Sequence, residues 1–460
     1  MGKCVLICVA VALLGGANLL AQEPATAEGQ PESREAEPAG TATLERLSEA
    51  TEGLPVKVRF NDGFALTSRD DQFELRLRLL AQNDAKLFTP TDQEPARSGM
   101  YIPRFRVYFE GQLTDPFQYE LSIQRSVEGA FDVLDANVNV RFAKQFQVRF
   151  GRGLVPYSYD WYDHLEQYFI APERGLFALN LGLSRQSGIM AWGDVWDERV
   201  RYAVGGFAGQ TAGLADVNNT RDAVGYVNIR PFWRSSALPA LRGLFFGGSI
   251  GLGVQNHPAE LLPVRTSVQS SENDEAAAAA SSVFLDYFPT VVATGARRQG
   301  ALHAGIYTGG LSVESEAYLG QFGTTRTDTN VTALIPVSGF NVMAGYFLTG
   351  EKVLSRGAVD PVRPFTARRG TGSGAFESFA RYSQLTYSEK LFTNGFADPD
   401  KWTREAYVTD VGVNWYWNRY LKWTFDWQHS AFANRILINE GKGQYAQSLD
   451  LFWLRCQVYY

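Results

Sequence analysis

Cysteine is almost missing: among 460 residues it occurs three times, at positions 4, 8 and 456. Cys4 and Cys8 lie in an N-terminal apolar stretch read below as a cleaved leader. Cys456 then stands alone, which excludes an intrachain disulfide and a cysteine metal centre. Histidine is nearly as scarce. His164, His257, His303 and His429 fall in four separate segments, without the i, i+4 or carboxylate spacing of a metal site. No glycine-rich phosphate loop is present; the glycines are scattered through strand-like segments, where they ease bends. Beyond residue 21 no apolar run approaches the roughly 18 residues of a spanning helix. These gaps leave no expected catalytic residue, cofactor or metal, and the chain is not read as an enzyme. Ser158, Asp160 and His164 fall within one short segment, but a triad is recognised by geometry, not by nearness in sequence.

The first residues set the compartment. Lys3 precedes the apolar stretch Cys4 to Leu20, and Leu19-Leu20-Ala21 offers a cleavage site before Gln22. This is the pattern of a secretory signal peptide, residues 1–21. Residues 22–53 carry eight glutamates against Arg34 and Arg46, are rich in Pro, Ala and Gly, and lack aromatics. They are expected to be a disordered acidic segment, with a short helix over Thr43 to Ala50 at most. The formal charge of −6 belongs mainly to this segment. Residues 54–460 are nearly balanced, which gives no footprint for nucleic acid.

From about Val56 onward the chain alternates with a period of two. In Gln72 to Leu87, Glu74, Arg76, Arg78, Leu80, Gln82, Asp84 and Lys86 oppose Phe73, Leu75, Leu77, Leu79, Ala81, Asn83, Ala85 and Leu87. Arg104, Arg106, Tyr108 and Glu110 then oppose Phe105, Val107 and Phe109. Asp135, Asn137, Asn139 and Arg141 oppose Ala136, Val138, Val140 and Phe142, and Gln147 and Arg149 oppose Val148 and Phe150. In a strand these sets lie on opposite faces. The segments run near ten residues, longer than sandwich strands, and tight turns such as Thr114-Asp115-Pro116 and Asn418-Arg419 separate them from longer polar connections. Aromatics gather at strand ends (Tyr416-Trp417, Tyr420 to Trp423), where a membrane girdle places them. The last strand keeps Phe452, Leu454, Cys456, Val458 and Tyr460 on one apolar face. The expected fold is all-β: a transmembrane antiparallel barrel of about sixteen strands in the outer membrane. It has short periplasmic turns and long outer loops, and spans residues 54–460. Between 281 and 405 the up-down parity conflicts, with a hairpin at Gly309-Gly310 and segments around Thr324 to Pro336.

Five stretches in this order resemble the phosphate-selective porin O and porin P family: Gln147 to Pro156, Leu183 to Gly193, Gly345 to Glu351, Gly374 to Tyr382 and Gly412 to Asn418. The resemblance implies a homotrimeric porin in which a third loop, roughly Gly153 to Ser184, folds inward to narrow the channel. It also implies arginines that lead small anions toward the constriction. Arg104 and Arg106 fall where the family has an arginine-rich second strand, and Arg185 and Gly188 match its Arg-x-x-Gly after the third loop. Arg174 and Arg185 are the constriction-loop candidates. The family's guarding tyrosines have only Tyr101 and Tyr108 as counterparts here.

Only nine of the 43 basic residues are lysine. Arg76, Arg78, Arg104, Arg106, Arg141 and Arg149 share the polar phase of early strands. A guanidinium fork binds oxyanions bidentately and never deprotonates. These six are the candidate channel-lining, anion-binding residues, whereas Arg125 is on the apolar phase. Charges that merely pair across a wet lumen explain the same pattern, and Glu74, Glu110 and Glu120 blunt the field. Three readings stand: an anion-preferring porin for phosphate-like solutes; a general or carbohydrate-type porin using Tyr108 and Tyr416; and a plugged structural or adhesive barrel. In each, outer-membrane lipid surrounds the protein.

Overall fold

The computed structural model describes residues 56–60, 62–125, 131–209, 219–268 and 275–460. The leader and the whole of the acidic segment, including Thr43 to Ala50, lie outside the described residues. Sixteen antiparallel strands form a closed barrel. They are β1 Glu74–Thr89, β2 Gly99–Thr114, β3 Phe117–Arg125, β4 Asp132–Ala143, β5 Phe146–Leu154, β6 Arg185–Val195, β7 Val200–Phe207 and β8 Asp222–Ile229. The second half comprises β9 Gly243–Glu260, β10 Val291–Thr308, β11 Leu311–Arg326, β12 Val331–Phe347, β13 Ala375–Tyr387, β14 Glu405–Tyr416, β15 Leu421–Asn439 and β16 Gln444–Tyr459.

Each strand pairs with its sequence neighbour, and β16 closes on β1 from Asp450↔Thr89 to Tyr459↔Leu80. Tyr460 completes the seam: its N–H donates to Leu79 O at 3.1 Å, and its carbonyl accepts from Leu79 N at 2.9 Å. Closure leaves no open edge in the hydrocarbon, where an unsatisfied peptide group costs several kcal/mol. Below the end of β16 a hairpin, Val56–Phe60 with Phe64–Ser68, continues the sheet by pairing Phe64↔Leu77 to Thr67↔Glu74. The two-residue phase does what the sequence requires of it. Phe105, Phe150, Ile189, Leu302, Leu319, Val411 and Phe425 stand exposed on the outer wall, while Gln82, Asp84, Asn137, Glu377 and Asp410 are buried inside.

The end at which Glu74 enters and Tyr459 leaves is termed here the terminal end, and the opposite one the loop end. Most terminal-end connections are tight, including 115–116, 144–145 and 309–310, and the loop end carries 155–184, 261–290 and 388–404. Two departures explain the parity conflict in the sequence. The loop-end connection 327–330 is tight, whereas the terminal-end connection 348–374 is long. That long segment folds back against the barrel mouth as a strap. Val353 N donates to Gly309 O (2.8 Å), Phe365 N to Trp417 O (2.7 Å), and Phe365 packs its ring on Trp415 and Trp417.

Candidate functional site

The third loop, residues 155–184, leaves β5 and turns into the lumen. Ser158 caps a single turn, α1 (Tyr159–Tyr162), its Oγ accepting from Trp161 N at 3.2 Å. The first amides of that turn face the wall: Tyr159 N and Asp160 N donate to the two oxygens of Glu316 on β11, at 2.8 and 3.1 Å. On the return, α2 (Leu176–Leu181) is buried against Tyr318, with Phe177 stacked at 4.6 Å between centroids. Gly182 ends α2 under the Trp161 indole. A Cβ there would sit 1.7 Å from Trp161 Nε1, which itself donates to Ala178 O at 2.6 Å. Only glycine permits this crossing of the loop's two limbs.

Between the limbs the backbone is irregular, so its carbonyls need partners from outside. The wall supplies them one after another. Gln457 Nε2 donates to Gln167 O (2.9 Å), Arg356 Nη2 of the strap to Tyr168 O (3.2 Å), Lys422 Nζ to Phe169 O (2.8 Å) and Asn414 Nδ2 to Ile170 O (2.9 Å). Arg455 Nη1 donates to Pro172 O (2.5 Å) and Arg381 to Glu173 O. The loop is thereby held at β13, β14, β15 and β16 and also at the strap.

Two glutamates of the loop answer the arginines of the wall. Glu173 receives Arg104 on both oxygens, each at 2.6 Å, and Arg455 Nη2 at 2.9 Å. Arg455 in turn holds Asp84 at 2.7 and 2.9 Å. Glu166 is flanked by Arg106 (3.3 Å), Arg174 (3.3 Å) and Arg185 (3.6 Å). Burial opposes the ionisation of both glutamates, but the guanidinium groups outweigh it. Arg104 and Arg455 hold the Glu173 carboxyl at about 2, and Arg106, Arg174 and Arg185 hold Glu166 well below the usual carboxylate range.

The arginines singled out in the sequence therefore divide. Arg78 is paired with Glu110 at 2.6 Å and bonded to the Tyr459 hydroxyl, and Arg76 is paired with Glu74 at 2.7 Å. Arg104 and Arg106 point inward as expected, but they serve the third loop. Arg106 is also bonded to Gln124 and, at 3.0 Å, to the Tyr108 hydroxyl. Arg174 stacks 3.8 Å above the Trp161 ring, and Arg185 meets Asp135 at 2.9 Å. Arg141 is exposed at the terminal-end rim, away from the constriction, because β4 reaches that end two residues later. Arg149 donates to Leu154 O and lines a cavity of about 670 Å³ that lies on the terminal-end side of the loop. Glu74, Arg76, Glu110, Glu120 and Arg201 line the same cavity, and Tyr162 and Asp163 lie against it. A smaller space of about 220 Å³ shares Asp163 and Arg201 and is bounded by Arg230, Arg356 and Tyr307.

Tyr101 and Tyr108 do not form a guarding cluster. Tyr108 is buried against Arg106 and Arg78, and Tyr101 donates to Arg97 O (2.6 Å) and Ala279 O (3.1 Å) beyond the loop-end rim. Two pairs of tyrosines meet at the loop: Tyr159 with Tyr307, hydroxyl to hydroxyl at 2.7 Å, with Tyr307 donating to Glu314 at 2.7 Å, and Tyr168 with Tyr459, hydroxyls at 3.4 Å, beside Tyr108. Ser158, Asp160 and His164 make no relay. The serine Oγ serves as a cap, while the imidazole faces Glu314 at 3.4 Å and Asp160 at 3.8 Å. Burial, with Arg356 and Arg174 adding to it, pushes the His164 imidazole well below its ordinary value, so it is neutral. Sequence reasoning missed Glu166, Glu173, Arg356, Arg381 and Arg455. For Arg381 and Arg455 the signal was present, since both sit on the polar phase of their strands.

A closed barrel, an inserted loop and a polar lumen are now in view, and the family model for phosphate-selective porin O and P matches residues 73–435. The chain belongs to that family. No curated protein is similar in sequence. Among solved structures, the porin resembles OmpT of Vibrio cholerae with a TM-score of 0.51 and 10% identity, covering 88% of this chain and 100% of that one. An anion-selective porin from Comamonas acidovorans aligns at a TM-score of 0.49 and 14% identity, over 85% of this chain and 100% of the other. OmpF of Salmonella typhi, solved with daunomycin, aligns at 0.49 and 13%, over 88% and 100%. At such identities the likeness is one of fold. Family and architecture together make this an outer-membrane porin channel.

Proposed function

We propose that this porin passes small polar solutes between the third loop and the wall, with a modest preference for anions, phosphate-like oxyanions among them. The observation that carries the proposal is an imbalance among unpaired charges. Among the described residues around the two terminal-end cavities, Arg149 and Arg230 donate only to carbonyl oxygens, and Arg141 at the rim makes no ion pair. Glu120, bonded to Asn137, is the carboxylate there that lacks an arginine partner. The surplus is cationic but small. Guanidinium groups favour oxyanions over a comparable set of ammonium groups.

The pairing of Arg76, Arg78, Arg104, Arg106 and Arg185 with carboxylates favours a second reading, a general diffusion porin without charge preference. Reversal potentials of single channels in asymmetric potassium chloride decide between the two. An anion-to-cation permeability ratio above one, with phosphate reducing the chloride current, supports the first. A ratio of one without phosphate block supports the second. The absence of channels altogether leaves a plugged barrel.

The remaining expectations belong to the same proposal. Residues 1–21 direct export and are removed, 22–53 lie in the periplasm, the terminal end faces the periplasm, and three copies assemble as the family resemblance implies. Native mass spectrometry of the purified protein tests assembly and the mature N-terminus together.

A further inference from the structure

The outer wall of β9 to β13 carries a groove that the channel does not use. Its walls are the long side chains of Ile250, Leu252 and Leu319, all exposed, and its floor is made shallow by Gly300 and Ser338. The cavity measures about 520 Å³. Its height follows from the register. Toward the terminal end the next outward residues on β10 and β12 are Leu302 and Phe340, both exposed members of the apolar band. Toward the loop end comes a polar row: Arg298 pairs with Gln321 across β10 and β11, Gln321 pairs with Pro336, and Ser388 N donates to Pro336 O. Arg404 follows, its carbonyl accepting from Tyr387 N. A row of polar side chains therefore interrupts the outer apolar wall directly above the groove, on the loop-end half of the band, with Val254 and Leu334 exposed beyond it.

Charge sets the occupant. Among the described residues the Arg298 side chain makes no hydrogen bond and no ion pair, and the residue is exposed. Arg404 donates to Tyr387 O at 3.2 Å and approaches only the exposed Glu389, at 3.9 Å. Arg298 on β10 and Arg404 just ahead of β14, four strand spacings or ~19 Å apart along the wall, crown an apolar trough. Such an arrangement matches a lipid whose headgroup carries more than one phosphate and whose acyl chain lies down the wall.

We infer that this groove is a docking site for a phosphorylated glycolipid of the loop-end leaflet, with Arg298 and Arg404 on the phosphates and an acyl chain over Gly300. A test is available that leaves the lumen untouched. The protein is purified in uncharged detergent and examined by native mass spectrometry with diphosphoryl lipid A, with the same lipid stripped of phosphate, and with phosphatidylethanolamine. Diphosphoryl lipid A should be retained in preference to both others. Arg298→Ala should weaken that retention about tenfold, the loss of roughly one charge-assisted hydrogen bond. Gly300→Leu should weaken it by filling the trough. That substitution is mild, because only Ser249 O, at 3.6 Å, lies near the new Cβ. Channel conductance should be the same in both variants as in the parent. Equal retention of the phosphorylated and stripped lipids overturns the inference, as does undiminished retention in both variants. A change of oligomeric state on Gly300→Leu also overturns it, because the groove would then lie between protein copies.

Discussion

Arg104 and Glu173 meet fork to fork, Nη1 on Oε1 and Nη2 on Oε2, both at 2.6 Å, and so fasten the tip of the third loop to β2. Oε1 of the same carboxylate also accepts from Arg455 of β16, which grips Asp84 of β1 as well. The barrel seam between β16 and β1 is therefore also the loop's anchor. One cluster of charges fixes both where the sheet closes and how far the loop reaches.

Glu173→Ala should loosen this anchor. It leaves Arg104 and Arg455 without their shared anion in a buried place, a change that costs about 3–5 kcal/mol when one partner of such a pair is removed. The heat-modifiable shift on gels should move to lower temperature, and single-channel current should become larger and noisier. Glu173→Gln, which keeps the shape and one acceptor, should lie between the two. A quiet, parent-like current in Glu173→Ala would show that the carbonyl bonds from Gln457, Lys422 and Asn414 hold the loop without it.

The same group gives a pH dependence with a definite sign. Glu173 is held at about 2 in the folded protein, against an ordinary value of 4.5. A depressed carboxyl contributes stability that is fully present above the unfolded value and lost as pH falls through the folded one. Glu166 adds to it in the same direction. Current noise should rise between about pH 4.5 and 2 as this anchor lets go. In Glu173→Gln that rise should be smaller, because only Glu166 is left to titrate.

Much of this was legible in advance, and the reason is local. Side chains alternate in a strand whatever surrounds it, so Arg76, Arg78, Arg104 and Arg106 were placed inside from phase alone. The tight turns at Asp115-Pro116 and Gly309-Gly310 were read from their residues. Partnership was not legible, because it depends on where the loop's carboxylates arrive. Glu166 and Glu173 lie in an irregular segment with no phase, and they reach Arg106 and Arg104 only after the whole barrel closes. Parity failed between 281 and 405 for a similar reason. Loop length was taken as a guide to side, and the strap 348–374 and the tight connection 327–330 reverse that guide.

The strap gives a third prediction. Arg356 is buried, pairs with Glu377 at 2.9 Å and bonds to Tyr168 O of the third loop. It is the place where a terminal-end segment touches a loop-end one. Arg356→Ala should cost about 3 kcal/mol through the uncompensated Glu377, softened by the bonds that carboxylate keeps with Tyr416 (2.8 Å) and Asn414 (3.1 Å). Conductance should rise, because both segments are freed. Hydrogen exchange should increase in 348–374 and in 165–175 together. An increase in the strap alone would mean that the loop does not depend on it.

The last prediction concerns selectivity, where pairing changes the expected size of the effect but not its direction. Replacing Arg104 and Arg106 with alanine removes two cations and also uncovers Glu173 and Glu166. Glu173 keeps Arg455, and Glu166 keeps Arg174 and Arg185, so neither carboxylate is stripped bare. The lumen nonetheless loses two positive charges within a Debye length, about 8 Å at physiological salt, of the loop tip. The reversal potential should move toward cation preference, and block of chloride current by phosphate should weaken. The complementary pair, Glu166→Gln with Glu173→Gln, should move it the other way, since five guanidinium groups then face the lumen with their counter-charges reduced. Opposite shifts from the two double variants would place the selectivity at this cluster. If neither shifts the potential while Arg149→Ala does, ions are sorted in the terminal-end cavity, and the wall arginines of β2 serve only to hold the loop.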